Sequence, residues 1–434
     1  MKNLRPLVPI RANPAVWVAP FVVLGIVYMW TTVLAPYPPD RYLTSYLARA
    51  ANGLQYGLPL VAGASAWCAR RAVPAHDGGA LPRVRVSVRV IALYTWPLLV
   101  AAWIGYGITV VLQISAASPL TASASWMILL TVTAMTITSI SFGWLLGSLL
   151  PTPIAVPIAI FAAFQWAVSP LLDASNVSWR NIAGYAIFAC CDTAAYQPDG
   201  RALLAPVVVA VGVLIAALLT FRSSKFRWLI PACGSIALTI VVANLIAVNT
   251  TATAGSLRNV ADQACQTSNE VTYCVYPETL SSGEQRDYLG YITPGVTSLQ
   301  DRGMVLPKTI RAPHDGSSPA EIQLDIGAGR SQPDVLIATA GAIYASLTCS
   351  PAESESDIGP DVIVPYAIAL LMGGEPLSVL PPIAIYDSEV PGAVGRELTP
   401  TEVQEKLGIA DDNAAESVVD AWQSSQTSCR ENVN

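Results

Sequence analysis

The first 248 residues of this chain have almost no acidic side chains. They contain five Asp and no Glu against 15 Lys and Arg, whereas residues 249–434 contain 25 Asp and Glu and nine Lys and Arg. The net charge of −6 is therefore the sum of +10 and −16. Regions of such different charge indicate two domains that work in different environments.

Charged residues of either sign are scarce in the chain as a whole. They make up 12% of the sequence, whereas a soluble domain carries about 25%. Residues 90–172 include no Asp, Glu, Lys, Arg or His, and this length suits three membrane-spanning helices of about 20 residues each. The composition predicts an integral membrane protein.

The motifs of common catalytic sites are missing from the sequence. It has no G-x-x-x-x-G-K-[ST] phosphate loop, no H-E-x-x-H zinc motif and no G-x-S-x-G nucleophile turn. His76 and His314 are its two histidines. No ionisable residue lies near the centre of an apolar segment, which argues against proton- or sodium-coupled transport. We predict that the chain is not an enzyme and has no catalytic residue, cofactor or metal site of its own.

Seven apolar segments are long enough to cross a bilayer. The predicted spans cover 15–35, 53–69, 90–112, 123–150, 153–172, 203–221 and 228–248. Basic clusters lie at the amino terminus, after the second span and after the sixth, and such clusters favour the cytoplasm. We therefore predict an α-helical polytopic protein of the plasma (cytoplasmic) membrane with a cytoplasmic amino terminus. Residues 1–250 form the transmembrane domain, and 251–434 form an extracellular domain.

Three prolines interrupt the apolar run SFGWLLGSLLPTPIAVPIAIF at 141–161. Pro151 and Pro153 flank Thr152, which predicts that one helix ends there and the next begins. Pro157 then falls near the first turn of the next span, where proline is tolerated. The run is therefore predicted to be a helical hairpin with a tight cytoplasmic turn.

The segment 173–202 is predicted to be a re-entrant hairpin on the outer face, because its apolar run 179–191 is too short to cross a bilayer. Cys190 and Cys191 lie in this hairpin. They are either free thiols or bonded to the extracellular domain, and the sequence leaves both open.

A few polar residues within the spans are candidates for a transport pathway. These are Thr131, Thr138 and Gln165. Hydroxyl groups in membrane helices also bond carbonyls of their own helix, and an isolated Gln also joins helices. Both structural roles compete with the pathway role.

The segment 251–434 is predicted to be an α+β domain with disulfides. VTYCVY alternates like a strand, and MVLPKTIRA and EIQLDI do so in part, whereas DVLIATAGAIYASLTC, DVIVPYAIALLMGG, TPTEVQEKLG and AAESVVDAWQSSQ are typical of helices. The disulfide candidates are Cys265, Cys274, Cys349 and Cys429. Four cysteines allow three pairings, and we prefer Cys265–Cys274, around a turn at Asn269 and Glu270, with Cys349–Cys429.

This pattern resembles the permease subunit of ABC type-2 exporters. The resemblance covers roughly residues 15–222 and is carried by the basic loop after span two, the GWLLGSLLPTPIAVP turn and the 173–202 hairpin. The chain departs from that family in its seventh span and its large external tail. The segment CQTSNEVTYCVYPE in the tail resembles ectodomains attached to actinobacterial permease-like proteins.

The resemblance implies a function and a set of partners. The loop after span two would be the coupling segment, with Arg70, Arg71, His76, Asp77, Arg83 and Arg85 as candidates. The chain would pair with a second copy or a homologous permease in the lipid bilayer. Cytoplasmic ATPase subunits would bind ATP and Mg²⁺, and the external domain would gate the pathway or dock a substrate or partner protein. No nucleic acid is expected as a partner. The alternative is a membrane-anchored receptor or assembly factor that does not transport.

Overall fold

The computed structural model forms two compact units, Met1–Ser256 and Leu257–Asn434, which we call the helical unit and the α+β unit. The structure describes residues 13–29, 31–32, 42–72, 84–116, 125–172, 176–184, 187, 190–191, 193–222, 229–251, 254–316, 321–327, 329–347, 360–373, 383–385, 396–398, 414–421 and 423–424.

The helical unit consists of helices that follow the apolar segments of the sequence. They are α1 (Pro14–Met29), α2 (Leu43–Ala50), α3 (Leu54–Ala72), α4 (Val84–Ala116), α5 (Trp126–Leu149), α6 (Thr152–Leu172), α7 (Val177–Ile182), α8 (Gly200–Arg222) and α9 (Leu229–Ala247). A 3-10 turn, Ala51–Gly53, joins α2 to α3. Two short strands, β1 (Tyr196–Pro198) and β2 (Gly255–Leu257), pair with each other.

Five helices of the described residues are long and apolar enough to span a membrane: α4, α5, α6, α8 and α9. The apolar helix α1 has 16 residues, fewer than the span predicted over 15–35. The helix α3 has 19 residues, but Gln55, Arg70 and Arg71 make it less apolar. The chain therefore has the helices of a multi-pass membrane protein, and the count of seven spans stays a prediction.

The prolines at 151–157 lie where one helix ends and the next begins. Helix α5 ends at Leu149, Leu150 is extended, and α6 begins at Thr152. The carbonyl of Pro151 accepts from the backbone N–H groups of Ile154 and Ala155 at 3.0 and 2.9 Å, so it caps the first turn of α6. Pro153 and Pro157 lie in the first turns of that helix, where the missing N–H is tolerated.

Helices α3 and α5 approach each other through two glycines. A methyl group added at Gly143 would stand 2.0 Å from the carbonyl oxygen of Ala62, and one at Gly147 would stand 2.1 Å from that of Ala66. Glycines four residues apart lie on one helix face, so their missing side chains let the α5 backbone contact α3 directly. Ser65 adds a hydrogen bond across this contact, from its Oγ to the Ile140 carbonyl at 2.6 Å.

The packing order of the helices defines an open arc. Helix α6 packs on α3 and α5, α5 packs on α8, and α8 packs on α9. Helices α1 and α4 pack on the other side of α3 and on each other. Trp144 of α5 and Tyr106 of α4 are both fully buried in the core of the helical unit, and the Tyr106 hydroxyl donates to the Leu47 carbonyl at 2.9 Å.

The segment between α6 and α8, predicted to be a re-entrant hairpin, is described in part. The helix α7 has six residues and ends at Ile182, and the described residues between it and β1 include turns at 183–184, 190–191 and 194–195. Cys190 and Cys191 form a disulfide with each other, which is neither the pair of free thiols nor the bond to the extracellular domain that the sequence left open. The Ser45 hydroxyl of α2 donates to the Cys191 carbonyl. Asn181 holds the chain after α9, because its side-chain amide donates to the Thr250 hydroxyl at 2.7 Å.

The α+β unit has a four-stranded sheet with helices packed against it. Its strands are β3 (Ala264–Ser268), β4 (Val271–Val275), β5 (Thr309–Arg311) and β6 (Ile322–Gln323), in that order across the sheet; its helices are α10 (Ser282–Asp301), α11 (Gln332–Leu347) and α12 (Pro360–Leu371), with helical turns over 414–421. The β3–β4 pair is antiparallel, and the β4–β5 and β5–β6 pairs are parallel. A separate antiparallel pair joins β7 (Ile383–Ile385) to β8 (Arg396–Leu398).

The hairpin β3–β4 carries the disulfide between Cys265 and Cys274. These residues lie directly opposite each other in the register, with Cα atoms 4.0 Å apart. The turn consists of Asn269 and Glu270 with φ of 45° and 69°. Two residues of positive φ give a two-residue turn whose twist matches that of the strands. Cys349, Cys429 and the predicted helix at TPTEVQEKLG lie outside the described residues.

Helix α10 was not predicted from the sequence, although its start carries a recognisable signal. The Ser281 Oγ accepts from the Glu284 backbone N–H at 3.2 Å, and the Glu284 carboxylate accepts from the Ser281 N–H at 3.0 Å. This is a capping box, and S-x-x-E is its sequence pattern. The helix buries Ile292, Val296 and Leu299 in the core of the unit.

Candidate functional site

The helical unit encloses a cavity of about 240 Å³, which we call the central cavity. Helices α5, α6, α8 and α9 supply most of its lining, and Leu58 of α3 and the end of α7 complete it. The lining is apolar except for the hydroxyls of Thr138 and Ser139, and no charged side chain lines it among the described residues. This cavity is the candidate functional site.

Small residues of α6 create the space. Ala162, Ala163, Trp166 and Ala167 line the cavity, and their spacing of three to four residues places them on one helix face. Ile236 and Ile240 of α9, again four residues apart, line it from the other side. The volume therefore exists because alanines face it where larger side chains would fill it.

The polar atoms of the lining leave the cavity without a strong hydrogen-bonding group. The Thr138 Oγ donates to the Ala134 carbonyl of its own helix at 2.9 Å, as threonine often does in membrane helices. Ser139 is 8% exposed. A lining of this kind offers water too few hydrogen-bonding partners to hold it. An apolar molecule is the occupant that this lining favours.

Of the three predicted pathway residues, one lines the cavity. Thr138 does so. Thr131 is fully buried, and its Oγ lies 2.9 Å from the carbonyls of both Met127 and Leu203, so it joins α5 to α8. Gln165 is exposed on α6, away from the cavity. Hydropathy identifies polar residues within an apolar helix, but it does not show which face carries them.

The predicted coupling residues lie partly in helices. Arg70 and Arg71 form the last turn of α3, both exposed, and the Arg71 guanidinium lies 5.4 Å from the Trp67 ring centre. Arg85 lies in the first turn of α4, because that helix begins at Val84 and not at residue 90. His76, Asp77 and Arg83 lie outside the described residues.

An aromatic pair lies where α6 and α7 meet. The rings of Trp166 and Trp179 are 4.6 Å apart and nearly perpendicular, and the Trp179 indole donates to the Ser169 hydroxyl at 3.3 Å. Asn176 caps α7 by accepting from the Trp179 backbone N–H at 3.1 Å. Because Trp166 and Ile182 also line the cavity, this pair and α7 close one end of it.

The α+β unit contains a polar cluster around His314. His314 is 4% exposed, with Nε2 2.9 Å from the Glu321 carboxylate and Nδ1 2.9 Å from the Asp315 carbonyl. The Arg311 guanidinium pairs with the same carboxylate at 2.9 Å. This cluster links the loop after β5 to the start of β6. The described residues contain no group of three His, Cys, Asp or Glu side chains that could hold a metal ion.

A second group of charges lies beside this cluster. The Arg258 guanidinium pairs with Glu278 at 3.2 Å and stacks over the Tyr276 ring at 4.4 Å. The Tyr276 hydroxyl donates to the Pro313 carbonyl at 3.1 Å, and burial of the ring raises the pKa of that hydroxyl. The bonds are all internal, so this network stabilises the unit and offers no open binding group.

Comparison with protein-family models, with curated proteins and with solved structures finds no match to this chain.

Proposed function

We propose that this chain is the membrane subunit of a transporter for apolar or amphiphilic molecules, driven by a separate cytoplasmic ATPase. The observation that carries the proposal is the uncharged central cavity among helices that are long and apolar enough to span a membrane. The sequence has no phosphate loop, so ATP and Mg²⁺ would bind to partner subunits. The resemblance to ABC type-2 exporter permeases, which pair as dimers, supports the same assignment.

The proposed topology adds α1 and α3 to the five spans. The seven helices then cross the plasma membrane with the amino terminus in the cytoplasm, and the α+β unit is extracellular, where it gates the pathway or docks a substrate or partner protein. Two features support this orientation: the exposed Arg70 and Arg71 at the end of α3, and the Cys265–Cys274 disulfide, which suits an oxidising compartment.

The decisive experiment is to purify the full chain from its native membrane in mild detergent and measure which subunits and what ATPase activity accompany it. We expect an ATPase subunit in the complex. Arg70→Glu should release it, because this arginine lies at the proposed cytoplasmic end. The matched control Arg201→Glu, an exposed arginine at the start of α8 on the proposed outer side, should retain it. A preparation with no ATPase would instead favour a membrane-anchored receptor or assembly factor.

A second measurement tests the orientation independently. Val305 of the α+β unit is 90% exposed, so Val305→Cys provides a thiol at the surface. A membrane-impermeant maleimide should label this variant in intact cells. Labelling that requires broken cells would contradict the extracellular position of the unit.

A further inference from the structure

The central cavity has an open side between α6 and α9, two lining helices that do not pack on each other. Helix α6 packs on α3 and α5, and α9 packs on α8 and α7. Both helices line the cavity, through Ala162 and Trp166 on one side and Ile236 and Ile240 on the other. Among the four described helices that supply most of the lining, α5 packs on α6 and α8, and α8 packs on α9, whereas α6 and α9 do not pack on each other. The gap between α6 and α9 is therefore a side opening of the cavity.

The faces beside this opening are those that a bilayer would cover. Phe161 of α6 is 64% exposed, and Leu238 and Leu245 of α9 are 64% and 70% exposed. Both helices are long and apolar enough to cross the membrane. Several large apolar side chains exposed together on helices of this length favour a hydrocarbon environment over water. The opening therefore faces lipid chains.

The lining selects the kind of molecule that can enter. It offers no charge, and the Thr138 hydroxyl is already bonded within its own helix, so a polar headgroup would lose its hydration without compensation. A hydrocarbon chain has no hydration to lose. The volume of about 240 Å³ exceeds the roughly 150 Å³ of an apolar cavity that holds benzene, so it can take a length of acyl chain.

We infer that the central cavity is a lipid site, which an acyl chain of a bilayer phospholipid enters sideways between α6 and α9. The inference rests on the proposed function, because it requires the helices to lie in the membrane. It adds the class of ligand and the route by which the ligand enters. It does not depend on the ATPase partner, so the two can fail separately: loss of the ATPase leaves lipid entry intact.

The test uses photolabelling by lipid. The purified full chain is placed in phosphatidylcholine nanodiscs that contain phosphatidylcholine with a diazirine in the middle of one acyl chain, illuminated, and mapped by peptide mass spectrometry. Surrounding lipid will label outward residues such as Leu238 and Phe161, which serve as the internal standard. We expect label also on Met135, which lines the cavity and is only 6% exposed. Label confined to the outward residues would overturn the inference.

A matched pair of variants tests the route. Ala162→Phe fills the cavity from α6, and Ala237→Phe makes the same change on the exposed face of α9. The first should abolish the Met135 label and keep the Leu238 label, whereas the second should keep both. Ile240→Trp fills the cavity from α9 and replaces the first variant if that one does not fold by size-exclusion chromatography. Met135 label that survives both filling variants would disprove entry through this opening.

Discussion

The two units of this chain differ in the kinds of polar group that pair inside them. In the helical unit, buried hydroxyls such as those of Ser65 and Thr131 bond backbone carbonyls of neighbouring helices. In the α+β unit, Arg258 and Glu278 pair while their side chains are only 12% and 15% exposed. A bilayer offers no water to a charge that loses its partner, whereas a domain in water can bring charges together at lower cost. The contrast indicates that each interior is matched to a different solvent.

The largest loss of stability is expected from a change at the contact between α3 and α5, which tests the interior of the helical unit. Gly143→Ala should destabilise the helical unit by more than about 3 kcal/mol, because its methyl group meets backbone that cannot move aside. We expect loss of the monodisperse peak when the detergent-solubilised protein is heated before size-exclusion chromatography.

The control is Gly107→Ala, at a helical glycine with nothing within 4 Å of the added methyl group. It should be neutral or stabilising by up to about 1 kcal/mol, because alanine favours helix. Equal losses in the two variants would contradict the importance of close backbone contact.

The next largest effect is expected from the partly buried ion pair of the α+β unit. Arg258→Met leaves the partly buried Glu278 carboxylate without this partner, and its cost should be at or below the roughly 3 kcal/mol of breaking a fully buried pair. Amide hydrogen exchange of β4 in the full chain should become faster, while exchange in α5 stays unchanged.

An exposed ion pair of the same unit serves as the comparison. Lys308 pairs with Glu270, and these side chains are 61% and 75% exposed. Lys308→Met should leave β4 exchange almost unchanged, because surface pairs contribute little. An effect as large as that of Arg258→Met would show that burial does not decide the strength of these pairs.

The disulfide of the β3–β4 hairpin should have an intermediate effect. Replacing both Cys265 and Cys274 with Ser opens a loop of nine residues' separation, and cross-links of that length contribute about 2–3 kcal/mol. We expect the α+β unit of the double variant to unfold at a lower urea concentration than that of the wild type, as measured by amide hydrogen exchange. Reducing agent should speed amide exchange in β3 and β4 of the wild-type chain and leave exchange in these two strands unchanged in the double variant.

The smallest effect is a pH dependence at the turn of that hairpin. The hydrogen bond and charge of Lys308 lower the pKa of Glu270 below its ordinary 4.5. A lowered pKa contributes stability that is present above the ordinary value and lost as the pH falls through the folded value. NMR titration of Glu270 should show the low pKa in the wild type and the ordinary value in Lys308→Met, and an unshifted wild-type value would refute it.

The sequence predicts some helices and strands of these units better than others. Hydropathy placed α5, α6, α8 and α9 within three residues at each end and α4 within six, since long apolar segments depend on no distant contact. The strand at VTYCVY is likewise local and became β4. In contrast, α2 and α10 were missed, because neither has a long apolar run and α10 contains Pro294.

The central cavity could not be predicted, because no local pattern encodes it. Met135, Ala162 and Ile240 come together from three helices, and each is an ordinary apolar residue of its own segment. Polarity alone selected both Thr138, which lines the cavity, and Gln165, which is exposed, because exposure depends on the neighbouring helices. The ion pair of His314 with Glu321 could not be predicted either, since these residues become neighbours only once β5 and β6 pair.

The turn at Leu150 and Pro151 has a consequence for biosynthesis. Two residues separate α5 from α6. We therefore expect α6 to leave the ribosome directly after α5, before α5 inserts into the membrane by itself. Neither helix has a basic flank of its own to set its direction. The pair should therefore insert together as one hairpin, whose direction is inherited from the charged ends of α3 and α8.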